Sequence, residues 1–259
     1  MNRITKIILV LLIVVLTISS YFFIKELVKN KKETELFDDL QEIVENTEKT
    51  THENPFSDDL EINEGNMSSQ NTYNLENIKN INSDVIGWIK IDGTNIDYPV
   101  MQNGDYYLHR NIYKNYSSHG TPYLADYCNI KYSNNLIIYG HHMKDNTIFS
   151  QLEKYKTYSF YNEHRYIKFY TIEGKKTIEN IYEVMFAFKT IAYSDEGFKY
   201  YTYTNFHNEE DYTEFVENCR KLEFYNTGVI GTNKDKYITL STCEYSQKNG
   251  RMIIVGKKV

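Results

Sequence analysis

The sequence predicts a mainly β fold, an eight-stranded barrel with flanking helices, preceded by an N-terminal helix and a membrane anchor. Short stretches rich in β-branched and aromatic residues alternate with polar turns over most of the chain, and few long helical patterns interrupt them. Near the start lies one uncharged apolar stretch. A length of 259 residues allows one domain of ordinary size with additional segments.

The apolar stretch covers residues 7–24, eighteen residues without a charge, which would reach about 27 Å as a helix. Arg3 and Lys6 precede it. A cleaved signal peptide is the alternative, but its apolar core is usually ~7 to 15 residues long, and only Ser19 and Ser20 offer small residues for cleavage. We therefore expect a transmembrane anchor over residues 7–24 and a cytoplasmic tail over residues 1–6.

Charge distinguishes the segment that follows the anchor. Residues 33–64 contain twelve acidic side chains and one lysine, whereas all residues after 64 together are neutral. Five apolar residues at helical spacing form a stripe: Leu36, Phe37, Leu40, Ile43 and Val44. We expect an acidic helix and a polar tether over residues 25–75, with residues 46–71 as the tether, and a folded domain over residues 76–259. Because that domain is neutral, nucleic acid is not expected as a partner.

Eight short strands are predicted in the domain over residues 76–259. They lie near residues 86–91, 95–101, 123–125, 136–139, 166–170, 178–188, 236–242 and 252–257. Between the sixth and seventh, residues 206–224 read as an amphipathic helix, with Tyr212, Phe215, Val216 and Cys219 on one side. Many short strands with few helices favour a closed or nearly closed barrel.

The last two strands carry a candidate nucleophile. Because side chains alternate along a strand, Thr239, Ser241 and Cys243 share one face. The polar residues 244–250 end in Asn-Gly, which predicts a hairpin that brings Arg251 back toward Cys243. A permanent cation beside a thiol favours the nucleophilic thiolate and can stabilise an oxyanion. The alternative is a small, buried and inert Cys243.

A candidate base follows the predicted strand at residues 136–139. There Gly140 is followed by His141 and His142, and an extended backbone would point the two imidazoles to opposite sides. We expect His141 to face the thiol. The other histidines outside this pair are interpreted as surface or core residues: His52, His109, His119, His164 and His207.

Taken together, these motifs resemble a class B sortase, a cysteine transpeptidase of Gram-positive bacteria. The resemblance rests on Thr-Leu-Ser-Thr-Cys over residues 239–243, on Arg251 downstream of it, and on Tyr-Gly-His over residues 139–141. It extends to residues 82–89, 96–102, 106–108 and 143–145, and to a long insertion with a helix before the cysteine strand. It covers about residues 75–259.

The resemblance implies a sortase-type barrel and a reaction. In that reaction Cys243 attacks the threonine carbonyl of an Asn-Pro-x-Thr-like sorting signal near the C-terminus of a secreted protein, and His141 protonates the leaving amine. Arg251 stabilises the oxyanion, while Ser241 and Leu108 line the peptide groove. The acceptor is an amine of a peptidoglycan crossbridge or of its lipid-linked precursor, and no cofactor is implied.

The resemblance also implies a location that the charge pattern opposes. Lysines after the apolar stretch outnumber the basic residues before it, and the positive-inside rule would therefore leave the domain in the cytoplasm. A sortase meets its substrates outside the cell. We accordingly expect a single-pass protein of the cell membrane with an extracellular catalytic domain.

Three alternatives stay open at this point. A hydrolytic cysteine peptidase would use the same pair of residues but transfer the acyl group to water, and a non-catalytic surface module would use Cys243 only for packing. A zinc site formed by His141, His142 and Cys243 has suitable ligands but no fourth one at motif spacing. The remaining cysteines, Cys128 and Cys219, are expected to be buried free thiols, with a disulfide between them as the alternative.

Overall fold

The computed structural model describes residues 3–45, 73–193 and 195–259, and the chain divides into two compact units, one up to Asp39 and one from Leu40 to Val259. The predicted polar tether over residues 46–71 lies outside the described residues.

The first helix, α1, extends from Arg3 to Glu45 without interruption, so the apolar stretch and the predicted acidic helix form one helix rather than two. It contains a segment that is long and apolar enough to cross a membrane. The large apolar side chains between Ile7 and Ile24 are exposed, as a lipid-facing helix requires.

Among the described residues of the second unit, three further helices are present: α2 (Leu75–Ile81), α3 (Tyr158–Glu163) and α4 (Glu209–Leu222). The helix predicted over residues 206–224 is α4. It begins at residue 209 because the side chain of Asn208 caps it by accepting a hydrogen bond from the Asp211 N–H (2.8 Å). The described part of this unit also contains three 3₁₀ helices, at Tyr106–His109, Ser150–Lys156 and Tyr200–Thr202.

The predicted eight-stranded barrel is confirmed. Its strands are β1 (Val85–Lys90), β2 (Asp97–Met101), β3 (Tyr123–Leu124), β4 (Asn135–Tyr139), β5 (Tyr166–Glu173), β6 (Lys176–Ile191), β7 (Tyr237–Glu244) and β8 (Gly250–Lys258). They close in the order β1-β2-β3-β4-β7-β8-β6-β5. Closure pairs β5 with β1, so no long unpaired edge remains among these strands.

The core of the second unit lies inside this barrel and under its helices. Trp88, Phe169, Phe188, Leu240 and Ile254 are among its fully buried side chains. Two pairings determine where chemistry can occur. Strand β4 runs parallel to β7, and β7 runs antiparallel to β8, so the end of β4, the end of β7 and the start of β8 meet at one mouth of the barrel.

Candidate active site

The β7–β8 hairpin brings a thiol and a guanidinium together. Cys243 lies one residue before the end of β7 and is the direct antiparallel partner of Arg251 on β8. Side chains of directly opposed residues point to the same face of a sheet, with Cβ atoms about 4.5–5.5 Å apart. Both residues are half-buried, so the sulfur is not enclosed in the barrel core.

The parallel pairing of β4 with β7 brings the imidazole to the same mouth. Tyr139 is paired with Ser241, and the Gly140 N–H donates to the Ser241 carbonyl at 3.1 Å. His141 follows Tyr139 by two residues and Cys243 follows Ser241 by two residues. The two candidate catalytic residues, about a hundred positions apart in the chain, therefore emerge from neighbouring strands.

One hydrogen bond determines which nitrogen of His141 is basic. His141 Nε2 lies 2.8 Å from the carbonyl oxygen of Leu108. A carbonyl oxygen can only accept, so Nε2–H donates to it, and in the neutral ring Nδ1 carries the free lone pair. The ring is thus presented with Nδ1 as the atom that can exchange a proton.

The environment of His141 favours its neutral form. Burial lowers the pKa of His141 below the ordinary value of 6.5, and the neighbouring His109 and His119 lower it further, although the bond to Leu108 acts in the opposite direction. An imidazole with a depressed pKa is mostly neutral at neutral pH. It can therefore accept a proton there.

All three residues line one cavity of about 560 Å³. Leu108 and Ser241, which the resemblance assigns to substrate binding, line it too. Ser241 is buried, and its hydroxyl lies 2.7 Å from that of Tyr200, while Leu108 contributes the carbonyl that accepts the hydrogen bond from His141. The cavity thus contains every residue that the sequence suggests for the site.

The wall of this cavity is largely aromatic. Six tyrosines contribute to it: Tyr123, Tyr127, Tyr139, Tyr193, Tyr200 and Tyr201. Burial raises the pKa of Tyr123 to about 12 and also raises those of Tyr139 and Tyr200, so these hydroxyls stay neutral hydrogen-bonding groups. The ring of Tyr193 lies 5.8 Å from the Arg251 guanidinium carbon, within range of a cation–π contact.

The second histidine of the pair, His142, has a different partner. Its Nδ1–H donates to the backbone carbonyl of Cys243 at 2.9 Å, and its ring packs against Tyr245, with centroids 5.1 Å apart. It therefore fastens the loop after β4 to the end of β7. Among residues 3–45, 73–193 and 195–259, no group of three or more His, Cys, Asp or Glu side chains is arranged to hold a metal ion.

Two histidines interpreted from the sequence as surface or core residues lie beside His141. The ring of His109 stacks on that of His141, with centroids 5.4 Å apart, and the buried His119 contributes to its electrostatic environment. No sequence spacing connects these residues to His141, so only the fold could reveal the contact. Of the others, His164 donates Nδ1–H to Phe160, and His52 lies outside the described residues.

The other two cysteines have a different character. Cys128 and Cys219 are free and buried. Burial raises the pKa of Cys128 to about 11 and raises that of Cys219 well above its ordinary value, so both thiols stay protonated. Neither lines the cavity that contains Cys243.

Comparison with known proteins places this barrel and site in a family. Residues 89–259 match the family model of the sortase domain. Sortase B of Staphylococcus aureus is 32% identical over 99% of this chain and 97% of its own length, and sortase B of Listeria monocytogenes is 32% identical over 90% and 88%. Among solved structures, a Staphylococcus aureus sortase B–substrate complex matches 71% of this chain and 84% of its own, with a TM-score of 0.63 and 34% identity.

A second solved structure, Bacillus anthracis sortase B in complex with AAEK1, matches 90% of this chain and 99% of its own, with a TM-score of 0.69 and 26% identity. The chain belongs to the sortase family. Within it, the chain is a sortase B-type cysteine transpeptidase. Membership implies that the enzyme processes the sorting signals of surface proteins and transfers these proteins to amines of the cell wall.

Proposed function

We propose that Cys243 is the nucleophile, His141 the general acid and base, and Arg251 the oxyanion-stabilising group of this transpeptidase. The observation that carries the proposal is the shared cavity: Cys243 is paired across the hairpin with Arg251, and His141 enters from the neighbouring strand with Nδ1 as its basic atom. A nucleophile, a proton carrier and a cation around one cleft are the groups that acyl transfer requires.

In the first half-reaction, Nδ1 of neutral His141 takes the thiol proton of Cys243, and the resulting thiolate attacks the carbonyl carbon of the threonine in the sorting signal. The C–N bond of the tetrahedral intermediate then breaks, His141 gives its proton to the departing amine, and a thioester remains on Cys243. Arg251 stabilises the negative oxygen while the carbonyl is tetrahedral. The downstream peptide leaves with a new amino terminus.

In the second half-reaction, an amine of the cell wall attacks the thioester. Neutral His141 takes the proton of the attacking amine, the C–S bond breaks, and the thiolate is regenerated as an amide bond forms. The depressed pKa of His141 suits this step, because the base form is then abundant at neutral pH. The surface protein ends covalently attached to the acceptor.

The sorting signal of this reaction is of the Asn-Pro-x-Thr type, and the acceptor amine belongs to a peptidoglycan crossbridge or its lipid-linked precursor. A related sortase B, 34% identical over 71% of this chain, was solved in complex with triglycine, a peptide with a free amino group. Asp105 and Asp126 also line the cavity, and their carboxylates can accept hydrogen bonds from such an amine. The peptide groove includes Leu108 and Ser241.

Residues 7–24 anchor the enzyme as a single-pass protein of the cell membrane, and residues 76–259 form the extracellular catalytic domain. The long exposed apolar surface of α1 supports the anchor. Residues 1–6 would remain in the cytoplasm, and residues 25–75 would connect the anchor to the domain.

The proposal is tested with the full chain in detergent micelles, a library of peptides, and triglycine as the amine. We expect cleavage after threonine in Asn-Pro-x-Thr-like peptides, with ligated product identified by mass spectrometry and turnover that rises with amine concentration. The Cys243→Ala, His141→Ala and Arg251→Ala variants should each lose this activity. A turnover independent of amine would instead indicate a hydrolase, and an active Cys243→Ala variant would exclude the proposed nucleophile.

A further inference from the structure

A buried histidine bonded to a partly exposed carboxylate lies next to the proposed active site without being part of it. The side chain of His119 is fully buried, and its Nε2 lies 2.7 Å from Oδ2 of Asp145, whose side chain is 27% exposed. Burying the polar ring of His119 is costly unless the ring is hydrogen-bonded, and Asp145 supplies that bond. The pair therefore needs a structural or functional reason.

Both members of the pair are held in place. Oδ1 of Asp145 accepts hydrogen bonds from the N–H and the hydroxyl of Thr147, at 3.1 and 2.6 Å. Burial alone would raise the pKa of the Asp145 carboxyl, but the bonds from Thr147 and His119 outweigh it and lower that pKa. The carboxylate is thus ionised and can only accept, so His119 donates Nε2–H to it.

His119 belongs to a tight turn that packs against the backbone of Leu108. The hydroxyl of Ser117 accepts the N–H groups of His119 and Gly120, at 3.1 and 3.2 Å. Gly120 has a positive φ of 61°, and a Cβ atom there would lie 2.3 Å from the Leu108 carbonyl oxygen. Only glycine permits this approach of the turn to that carbonyl.

The Leu108 carbonyl is the group that accepts the hydrogen bond from Nε2–H of His141. Asp145 lies in the loop that follows His141, and the Phe149 N–H closes this loop by donating to the His141 carbonyl at 3.0 Å. The bond between His119 and Asp145 therefore connects two segments: the turn that packs on the acceptor and the loop that carries the imidazole.

We propose that His119 and Asp145 are positioning residues that hold the Leu108 carbonyl against Nε2 of His141 and so fix the tautomer and orientation of the catalytic ring. The inference rests on the proposed role of His141. If the two segments separate, Nε2–H loses its acceptor. The proton can then move to Nδ1, which leaves no lone pair on the nitrogen that exchanges protons with thiol and amine.

The test uses the full chain in detergent micelles, an Asn-Pro-x-Thr peptide and triglycine. His119→Phe keeps the shape of a ring but loses the donor, and Asp145→Leu loses the acceptor. We expect each to lower kcat about ten- to a hundredfold with KM within about twofold, because a misplaced catalytic group affects the reaction more than binding. His119→Gln and Asp145→Asn keep a donor and an acceptor, and should retain kcat within about threefold.

Nitrogen-15 NMR of histidine-labelled protein reports the tautomer of His141. This tautomer would not change if His119 and Asp145 only stabilised the fold. The wild type and His119→Gln should show His141 as the Nε2–H tautomer, whereas His119→Phe should show a mixture, with the signal assigned by its loss in His141→Gln. His164→Asn is the matched control, since His164 also donates a hydrogen bond to a carbonyl (2.8 Å) but lies outside the cavity. It should keep kcat and the tautomer.

Unchanged kcat and tautomer in His119→Phe and Asp145→Leu would overturn the proposal. A loss of apparent kcat that is fully explained by a smaller folded fraction would overturn it as well. If His119→Phe does not fold, Thr147→Val carries the test. It removes one bond to Asp145 and should lower kcat about threefold, and an unchanged value would overturn the proposal. His141→Ala separates the two hypotheses: if it is active, the proposed function fails, and if it is inactive while His119→Phe is normal, only the positioning role fails.

Discussion

The two adjacent histidines after β4 have different surroundings, which suit the proposed proton transfer by His141 and a supporting role for His142. His141 faces the cavity with Leu108 on its Nε2, while His142 points the other way and binds the backbone of Cys243. Alternation of side chains along an extended backbone explains the difference. A substitution at His142 should therefore disturb the position of Cys243 without removing the proton carrier.

Substitutions of Arg251 can separate the contribution of its guanidinium shape from that of its positive charge. Arg251→Lys keeps the positive charge but loses the planar fork and its stacking on Tyr193, and Arg251→Met loses both. Because an oxyanion donor acts chiefly in the transition state, we expect Arg251→Met to lower kcat about 10²- to 10³-fold and Arg251→Lys to recover little of it. Steady-state kinetics with a sorting-signal peptide measures this.

The matched control for Arg251 is Arg165→Met. That guanidinium also lies over a tyrosine ring, 5.5 Å from the centroid of Tyr161, but outside the cavity. Its kcat should stay within about twofold of wild type. Equal losses at both positions, or full activity of Arg251→Lys, would contradict a role that depends on the guanidinium shape.

His109 provides a test of pH dependence. Burial and the neighbouring histidines lower the pKa of His141, so His109→Phe, which keeps a stacking ring but removes a titratable group, should raise that pKa toward 6.5. Proton NMR titration of the His141 ring measures the shift. A downward shift, or none, would contradict the assigned contribution of His109.

The same substitution has a consequence for stability. Because the folded-state pKa of His141 is depressed, the unfolded chain binds more protons between that pKa and 6.5, and folding is disfavoured as pH falls through this window. His109→Phe raises the folded-state pKa of His141 and so narrows the pH range between that pKa and 6.5. Urea unfolding at neutral and mildly acidic pH should therefore show a smaller loss of stability on acidification than in wild type.

At the scale of elements, the proposed active site lies where the ends of three neighbouring strands meet. The parallel β4–β7 pair and the β7–β8 hairpin fix the register of His141, Cys243 and Arg251 through backbone hydrogen bonds. Register is set by the whole strand, since a slip of one residue would turn each side chain to the opposite face. The loops that follow these strands then adjust the side chains.

Gly140 lies at the tightly packed junction between β4 and the loop that follows it. A Cβ atom at this position would lie 2.6 Å from the ring of Phe149, so Gly140→Ala should overpack the junction, destabilise the fold by about 1–3 kcal/mol and displace His141. Urea unfolding and kcat measure the two effects. The double variant with Phe149→Leu provides more room and should recover part of both, and strictly additive effects would contradict the assigned clash.

The predicted elements differ in how far the sequence determined them. The β7–β8 hairpin and helix α4 were predicted within a few residues because their patterns are local: an Asn-Gly turn between apolar stretches, and apolar residues at helical spacing. Strand β6 begins two residues before and ends three residues after its predicted bounds, where it pairs with β5 at one end and with β8 at the other. Such pairing is tertiary and leaves no local signal.

The residues of the candidate site also divide into those with a local sequence signal and those that only tertiary packing brings together. Residues Cys243, Arg251 and His141 could be selected because their residue types and strand-end positions carry chemical information. His109, His119 and Asp145 could not, because only the packing of a 3₁₀ helix, a turn and a loop brings them to His141. Sequence reasoning therefore found the candidate reacting groups and missed the groups that support them.

At the scale of the whole molecule, charge is distributed by segment. Residues 1–32 carry a net charge of +5, residues 33–64 carry −11, and the rest is neutral. A neutral catalytic domain does not attract polyanions by long-range electrostatics. Selection of the substrate must then come from shape and short-range contacts in the cavity.

The N-terminal segment gives the last prediction. With residues 7–24 as a single membrane span, the full chain produced in a Gram-positive host should stay in the membrane fraction after an alkaline carbonate wash. Leu12→Lys combined with Val15→Lys should release it, because each charge near the centre of a helical span costs about 2.5–3.5 kcal/mol of insertion free energy. Immunoblots of the membrane and soluble fractions measure the outcome.

The control introduces two lysines beyond the span, as Asp39→Lys with Glu42→Lys, and thereby also replaces two carboxylates at exposed positions of α1. That variant should remain in the membrane, since its lysines need not enter the hydrocarbon layer. Protease added to intact wall-less cells tests orientation in the same preparation: an extracellular domain is digested and a cytoplasmic one is protected. Protection of the domain from the protease would agree with the positive-inside rule, because lysines follow the span. It would contradict the proposed access to secreted substrates, because no sorting signal outside the cell could then reach Cys243.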